Sequence, residues 1–226
     1  MILRGKREQL ETKAAWILAE AIQTRLKVKS KVIVAVPGGR SVCSILQKLA
    51  EYDVDWSRVH LFLVDERLVP IDHPESNFRL VAGALGSKVP VASLHPFLYD
   101  VREGNSAGEY ERQLTRLGGR FDIVLVSSGE DGHIASIFPG HQLPAAEGRK
   151  FVLLEDSPKP PLRRMSATPA LLATAQLGVL LFFGAAKRQA LQNFLNPKLS
   201  VSECPAKLIK TLAQFYVLTD LEETSS

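Results

Sequence analysis

The amino-acid sequence predicts a Rossmann-like α/β fold, in which helices cover both faces of a mainly parallel β-sheet. Continuous apolar runs such as Val-Ile-Val-Ala-Val at residues 32–36 are typical of strands buried on both faces. Segments with apolar residues at helical spacing, such as residues 6–28, separate these runs. Because 226 residues are enough for one sizeable core, we expect a single domain over residues 1–226.

Predicted helices and strands alternate along the chain. Strands are predicted at residues 32–36, 59–64, 94–98, 121–126, 151–154, 177–183 and 215–218. Helices are predicted at residues 6–28, 41–52, 76–85, 107–117 and 185–194. Ligands of such folds bind just beyond the carboxyl ends of the strands, so the loops that follow the apolar runs are the places to look for a site.

Composition excludes several classes of protein. No apolar run approaches the roughly 20 residues that a membrane-spanning helix needs. The net charge of +4 is spread along the chain, and we expect no nucleic-acid partner because no concentrated basic patch with interleaved aromatic residues is present. The first residues lack the apolar segment of a signal peptide, and the chain has only two cysteines. We therefore expect a reduced, cytoplasmic setting.

The loop after strand 32–36 is the first candidate site. Gly38 and Gly39 allow the backbone to approach an anion, and the following helix offers free N–H groups beside the Ser41 hydroxyl. A tight strand-to-helix turn capped by the serine explains the same residues and is the commoner case. Both interpretations stay open on this local pattern.

Two further loops carry charged side chains. Asp65, Glu66 and Arg67 follow strand 59–64, where a surface salt-bridge cluster is the alternative to a site. Asp131 and His133 follow strand 121–126 in the run Gly-Glu-Asp-Gly-His. Histidine is the natural general base near neutral pH, and a neighbouring carboxylate orients its ring. We favour a catalytic role over a histidine that only bonds to backbone.

Residues 129–140, Gly-Glu-Asp-Gly-His-Ile-Ala-Ser-Ile-Phe-Pro-Gly, resemble the signature of the 6-phosphogluconolactonase family. Residues 65–79 and 164–172 are similar to two further family blocks, and 184–188 follow at the family's usual distance. The resemblance extends from about Val32 to Leu191. It implies a Rossmann-like fold shared with glucosamine-6-phosphate deaminases. It also implies hydrolysis of 6-phosphoglucono-1,5-lactone in the pentose phosphate pathway, without metal or organic cofactor.

The resemblance also assigns roles to individual residues. It makes His133 the general base that activates water, with Asp131 supporting it. The residues that it assigns to the substrate are Gly38, Gly39, Ser41, Arg67, Arg164 and Lys187. We add Arg40 and Asp65 as candidate substrate-binding residues, because they lie in the same two loops. Arg67 is placed near the reacting end, whereas Arg164 and Lys187 are placed at the phosphate and sugar.

Three departures from the family pattern affect the details of binding. The glycine loop of the family usually reads Ser-Gly-Gly-Ser-Thr-Pro, whereas Arg40 stands here in place of a small hydroxyl residue. Arg40 either adds a phosphate contact or points outward. Ile134 stands where threonine is common, and Ser166-Ala167 replaces the more usual Thr-Leu.

Two alternative functions compete with lactone hydrolysis. Deaminases of the same superfamily carry Asp-Glu-Tyr at the second block and an Asn-Glu-Pro-Gly run, where this chain has Asp-Glu-Arg at 65–67 and Ser-Ile-Phe-Pro-Gly at 136–140. A sugar-phosphate sensor would carry a DNA-binding domain, whereas one predicted helix precedes Val32. The expected partner is a small phosphorylated lactone, with no membrane partner, and the pattern leaves monomer and dimer open.

Overall fold

The computed structural model describes residues 1–99, 106–144 and 147–222, and in these it contains nine strands and six α-helices. The strands are β1 (Ile2–Arg4), β2 (Val32–Val36), β3 (Val59–Leu63), β4 (Asp65–Arg67), β5 (Ile123–Ser127), β6 (Phe151–Leu154), β7 (Arg164–Ala167), β8 (Leu177–Phe182) and β9 (Gln214–Thr219). The helices are α1 (Arg7–Leu26), α2 (Arg40–Leu49), α3 (Asn77–Leu85), α4 (Ser106–Arg116), α5 (Pro169–Leu172) and α6 (Arg188–Leu195).

Six strands form one parallel sheet in the order β1-β9-β8-β5-β2-β3. The other three form a small antiparallel sheet in the order β4-β7-β6. Strand β3 pairs with one edge of β2, whereas β5 pairs with the other edge, with β8 beyond it. The order therefore reverses between β2 and β5, and ligands of open α/β sheets bind at such a reversal.

The core explains why the strand sequences are so apolar. Every residue of β2 and of β8 is buried, since helices cover the large sheet. Helix α1 buries one face, including Leu18 and Ile22, against this sheet. Burial of each such side chain stabilises the fold by about 1.5–3 kcal/mol. The sheet is therefore a rigid platform, and its carboxyl edge fixes the loops that leave it.

The predicted fold class is confirmed, and most predicted elements fall within a few residues of the observed ones. The strand predicted at 94–98 is wrong. Leu94 makes only an isolated bridge with Leu61, because Pro96 has no N–H to continue the ladder. The helix predicted at 185–194 begins with a 3₁₀ turn, Ala185–Lys187, before α6. The strand predicted at 151–154 exists as β6 but belongs to the small sheet.

The strands β1, β4 and β7 were not predicted. Each has only three or four residues, and none is a continuous apolar run. In the part of the chain that the structure describes, no helix is long and apolar enough to cross a membrane.

Candidate active site

The loop after β5, residues 129–140, carries a histidine bonded to a carboxylate, and we call it the catalytic loop. The Nδ1 atom of His133 lies 2.6 Å from Oδ1 of Asp131, and the His133 backbone N–H donates to the same oxygen at 3.3 Å. The other ring nitrogen, Nε2, makes no hydrogen bond within the described ranges. The side chain of His133 is 18% exposed, so this nitrogen is available to a ligand or water.

Lys159 completes the environment of Asp131. Its Nζ atom lies 3.0 Å from Oδ2 of Asp131, opposite the histidine. Burial acts to raise the pKa of Asp131, but the hydrogen bonds and charge of His133 and the hydrogen bond of Lys159 outweigh it and hold the pKa well below its usual range. Asp131 is therefore a carboxylate throughout the physiological pH range. Nothing in the sequence pairs Lys159 with Asp131, so Lys159 was not predicted as a site residue.

Two glycines give the catalytic loop its shape. A Cβ atom at Gly129 would overlap the ring of His133 and lie 2.6 Å from Oδ1 of Asp131. Gly132 has a φ of +90°, and a Cβ there would approach Sγ of Cys204 to 3.1 Å. The Gly129 backbone N–H also donates to the His133 carbonyl at 2.8 Å. The loop thus closes tightly on itself only because these positions lack side chains.

Side chains of the small sheet brace the catalytic loop through hydrogen bonds. The Ser136 hydroxyl donates to Oδ2 of Asp65 at 3.0 Å, and the Ser136 N–H donates to Oγ of Ser166 at 3.2 Å. Phe138 packs on His133 with ring centroids 4.6 Å apart. Asp65 is only 5% exposed. Its geometry gives it a bracing role, and its predicted contact with substrate stays a prediction.

The charged cluster after β3 is not a surface salt-bridge cluster. Glu66 is 2% exposed, and its carboxylate accepts the N–H groups of Asn77 and Phe78 at 2.7 and 2.8 Å. It therefore caps the start of α3. Arg67 donates through NH1 to the Glu75 carbonyl at 2.6 Å, while its buried Nε has no partner among the described residues. A buried N–H without a partner is rare in folded proteins and marks Arg67 as a candidate for a functional role.

Arg164 is buried and already engaged. Its Nε donates to Oγ of Ser157 and to the Pro161 carbonyl, and its NH2 donates to the carbonyls of Lys159 and Pro160. These four bonds hold the loop that presents Lys159. Burial lowers the pKa of Arg164, although the nearby Asp65 carboxylate opposes that change. The predicted phosphate contact of Arg164 stays a prediction, and only its NH1 lacks a hydrogen bond among the described residues.

The loop after β2, residues 37–41, is more open, and we call it the glycine loop. A Cβ at Gly38 would overlap the side chain of Asn77, which is held by a 2.9 Å bond from its Nδ2 to the Asp65 carbonyl. Gly39 has a φ of +106°, and a Cβ at this position would meet no described atom within 4 Å, so space lies above it. Gly39 is also the N-cap of α2, and no side chain of the described residues caps this helix.

The other predicted residues of the glycine loop lie at its exposed rim. Arg40 is exposed and begins α2. Ser41 does not cap the helix. Instead its Oγ accepts a 2.6 Å hydrogen bond from NH2 of Arg7, at the start of α1. Arg7 was missed because the sequence analysis gave helix 6–28 no chemical role. The order of the elements did indicate that Arg7 lies near the site. A helix that leads directly into the amino end of strand β2 begins at the opposite, carboxyl edge of the sheet.

Lys187 lies in the 3₁₀ turn after β8 and comes close to the catalytic loop. Burial lowers the pKa of Lys187, while the charges of Glu130 and Asp131 oppose this and that of Lys159 adds to it. Loops after β2, β5 and β8 thus bring most of the predicted site residues to one edge of the sheet, where the charge of Lys187 acts on Asp131 beside that of Lys159.

A groove elsewhere on the protein does not belong to this site. This groove of about 610 Å³ lies between α4 and β6 and contains none of the predicted site residues. Within residues 1–99, 106–144 and 147–222, no group of three or more His, Cys, Asp or Glu side chains is arranged to hold a metal ion. The expectation that the protein needs no metal or organic cofactor stays a prediction.

The fold and the site define an α/β protein with a histidine–carboxylate pair and several cations at a sheet reversal, an arrangement suited to acid–base chemistry on an anionic ligand. Residues 5–217 match the model of the glucosamine-6-phosphate isomerases/6-phosphogluconolactonase family. The chain belongs to this family, as its sequence motifs predicted.

Individual relatives agree with the family model. The chain is 36% identical over 200 residues to a 6-phosphogluconolactonase of Borreliella burgdorferi, covering 85% of each chain. It is 35% identical over 216 residues to a probable chloroplastic 6-phosphogluconolactonase of Oryza sativa, covering 87% of this chain and 66% of the rice protein. The solved structure of a 6-phosphogluconolactonase from Thermotoga maritima superimposes with a TM-score of 0.83 at 26% identity, covering 97% of both chains.

Proposed function

We propose that this protein hydrolyses 6-phosphoglucono-1,5-lactone to 6-phosphogluconate, a step of the pentose phosphate pathway. The observation that carries the proposal is the His133–Asp131 pair at 2.6 Å, with Nε2 of His133 unengaged by the described residues and cations around it. Lactone hydrolysis needs one general base and a binding site for a phosphate, and this edge of the sheet offers both. The names of the relatives support the same reaction.

In the proposed mechanism His133 acts first as a base. Its Nε2 takes a proton from water while the water oxygen adds to C1 of the lactone, and the carbonyl becomes a tetrahedral oxyanion. Arg67, whose Nε has no partner among the described residues, stabilises that negative charge. The protonated His133 then gives its proton to the ring oxygen as the C1–O bond breaks, which leaves the open-chain acid. No covalent intermediate is needed, because a lactone carbonyl is already electrophilic.

Asp131 and Lys159 prepare His133 for both steps. An ionised Asp131 that accepts the Nδ1–H of His133 leaves Nε2 as the proton acceptor, and it stabilises the imidazolium that follows. Lys159 keeps Asp131 ionised and in place. In this interpretation Lys159 is a positioning residue, since it acts through Asp131.

The phosphate lies at the other end of the site. The open space at Gly39 leaves room for an anion, and the uncapped N-terminus of α2 and the Ser41 hydroxyl supply donors for it. Lys187, between this end and the catalytic loop, supplies a further cation. Binding energy from this remote group holds C1 against the attacking water. A cytoplasmic location, the absence of nucleic-acid and membrane partners, and a monomeric or dimeric state stay predictions.

The decisive experiment follows the decay of freshly generated 6-phosphogluconolactone with and without the protein, beside unphosphorylated gluconolactone. A blank is essential because the lactone also opens spontaneously. We expect strong acceleration of the phosphorylated lactone and little of the other. If neither lactone reacts faster and glucosamine 6-phosphate releases ammonia instead, the lactonase proposal is wrong.

A further inference from the structure

Arg7 stands at the proposed phosphate end of the site, although it comes from a part of the chain outside the family motifs. Strand β1 ends at Arg4 and runs parallel to the rest of the sheet, so the chain enters α1 at the carboxyl edge. There NH2 of Arg7 donates to Oγ of Ser41 at 2.6 Å. Its guanidinium carbon also lies 5.7 Å from the ring centroid of Phe183, at the end of β8.

The guanidinium is held in one direction before any ligand arrives. Nε of Arg7 donates to Oε1 of Glu11 at 3.0 Å, one turn further along α1. The Glu11 side chain is only 11% exposed, so it is a fixed anchor, whereas the Arg7 side chain is 45% exposed. An arginine fixed in this way loses little side-chain entropy when it binds an anion. Its third nitrogen, NH1, makes no hydrogen bond in the described part of the chain.

The Arg7–Ser41 bond also determines what Ser41 offers. A hydroxyl has one proton to donate and two lone pairs to accept. Because Oγ of Ser41 accepts from Arg7, its own proton is free to donate to a ligand oxygen. The hydroxyl, the guanidinium and the uncapped N–H groups of α2 thus lie side by side, a donor set that suits a phosphate.

We propose that Arg7 binds the substrate phosphate together with Ser41. This proposal rests on the proposed function, because it assigns a ligand to the phosphate end of that site. Arg7 fits the role better than Arg40, whose side chain is exposed and is not fixed in direction by any hydrogen bond or ion pair to the described residues. Arg7 is thereby a specificity residue that distinguishes phosphorylated from unphosphorylated lactones.

The test compares Arg7→Gln and Arg7→Lys with Arg112→Gln. Arg112 is a matched control because it also pairs with a glutamate on its own helix, Glu109, but lies outside the site. We expect Arg7→Gln to raise KM for the phosphorylated lactone roughly 10- to 100-fold, the effect of losing charge-assisted hydrogen bonds, with kcat within about 3-fold of the unaltered protein. The KM of Arg7→Lys should fall between those of Arg7→Gln and the unaltered protein. Arg112→Gln should change neither KM nor kcat.

Binding of inorganic phosphate, measured by calorimetry on the same proteins, separates this proposal from the proposed function. We expect Arg7→Gln to weaken phosphate binding by a similar factor, whatever reaction the enzyme catalyses. If the unaltered protein binds phosphate but does not accelerate lactone opening, the proposed function fails and the role of Arg7 is still decided by this comparison. If the unaltered protein binds no phosphate, or if KM and phosphate affinity stay within 2-fold in Arg7→Gln, Arg7 is not a phosphate ligand.

Discussion

The catalytic loop and the glycine loop meet at the same edge of the sheet but are held in different ways. The catalytic loop takes its shape from contacts among its own residues Gly129, Asp131 and His133, and the small sheet braces it. The glycine loop is fixed by residues from other elements, namely Asn77 of α3 and Arg7 of α1. The first loop packs closely over its histidine, whereas the second leaves open space above Gly39.

This difference predicts a division of labour. A tightly packed loop holds reacting groups within the small tolerance that proton transfer requires. An open, cation-lined loop tolerates small movements of a bound phosphate, because charge attraction varies slowly with distance. We therefore expect changes in the catalytic loop to lower kcat and changes around the glycine loop to raise KM.

The largest expected effect comes from His133→Ala. Removal of the general base should lower kcat by about 10²- to 10⁴-fold and leave KM within a few-fold, because His133 is assigned to proton transfer and not to binding. Initial rates of lactone decay, corrected for spontaneous opening, give both constants. A kcat near that of the unaltered protein would remove His133 from the mechanism.

A second variant tests whether packing of the catalytic loop matters as well as its chemistry. The methyl group of Gly129→Ala would overlap the His133 ring, so the ring must move, and we expect kcat to fall roughly 100-fold. Gly83→Ala is the control, because a Cβ at Gly83 in α3 meets nothing within 4 Å among the described residues. Equal rates for the two variants would show that the close fit at Gly129 has no catalytic consequence.

Loss of the ion pair between Lys159 and Asp131 should lower kcat by a smaller factor, and its effect on stability should depend on pH. Lys159→Gln should lower kcat about 3- to 10-fold, since Asp131 keeps its bond to His133. Lys150→Gln is the matched control, because Lys150 is also half-buried and paired with a carboxylate, that of Glu111, away from the site.

The pH dependence of stability sharpens this test. The pKa of Asp131 is lowered in the fold, so its ionised form contributes stability that is present above its unfolded pKa and is lost as the pH falls through its folded pKa. Without Lys159 the folded pKa moves back toward its usual range, so the stabilising contribution is smaller and its loss is complete at a higher pH. Acid unfolding curves of Lys159→Gln and Lys150→Gln measure the shift; coincident curves would mean that Lys159 does not stabilise the carboxylate.

The two loops also differ in how far the sequence predicts them. The contact between Asp131 and His133 follows from a short motif, because both residues and Gly129, whose lack of a side chain leaves room for the ring, lie within residues 129–133. Arg7 and Lys159 could not be assigned in this way, since their partners come from distant parts of the chain and the pairing depends on the folded sheet. The buried state of Asp65 and Arg164 was missed because the strands that carry them, β4 and β7, are short and have no hydrophobic pattern.

The smallest effect is expected at the glycine loop itself, from Gly39→Ala. The substitution strains a backbone with φ of +106° but meets no described atom, so we expect a few-fold rise in KM as the N-terminus of α2 shifts, with kcat nearly unchanged. Gly118→Ala is the control, since Gly118 has a φ of +119°, equally open surroundings and no place in the site. Thermal unfolding should show a comparable loss of stability in both variants, because the backbone strain is alike. A rise in KM confined to Gly39→Ala then belongs to the phosphate end of the site, whereas a fall in kcat there would contradict the division of labour between the two loops.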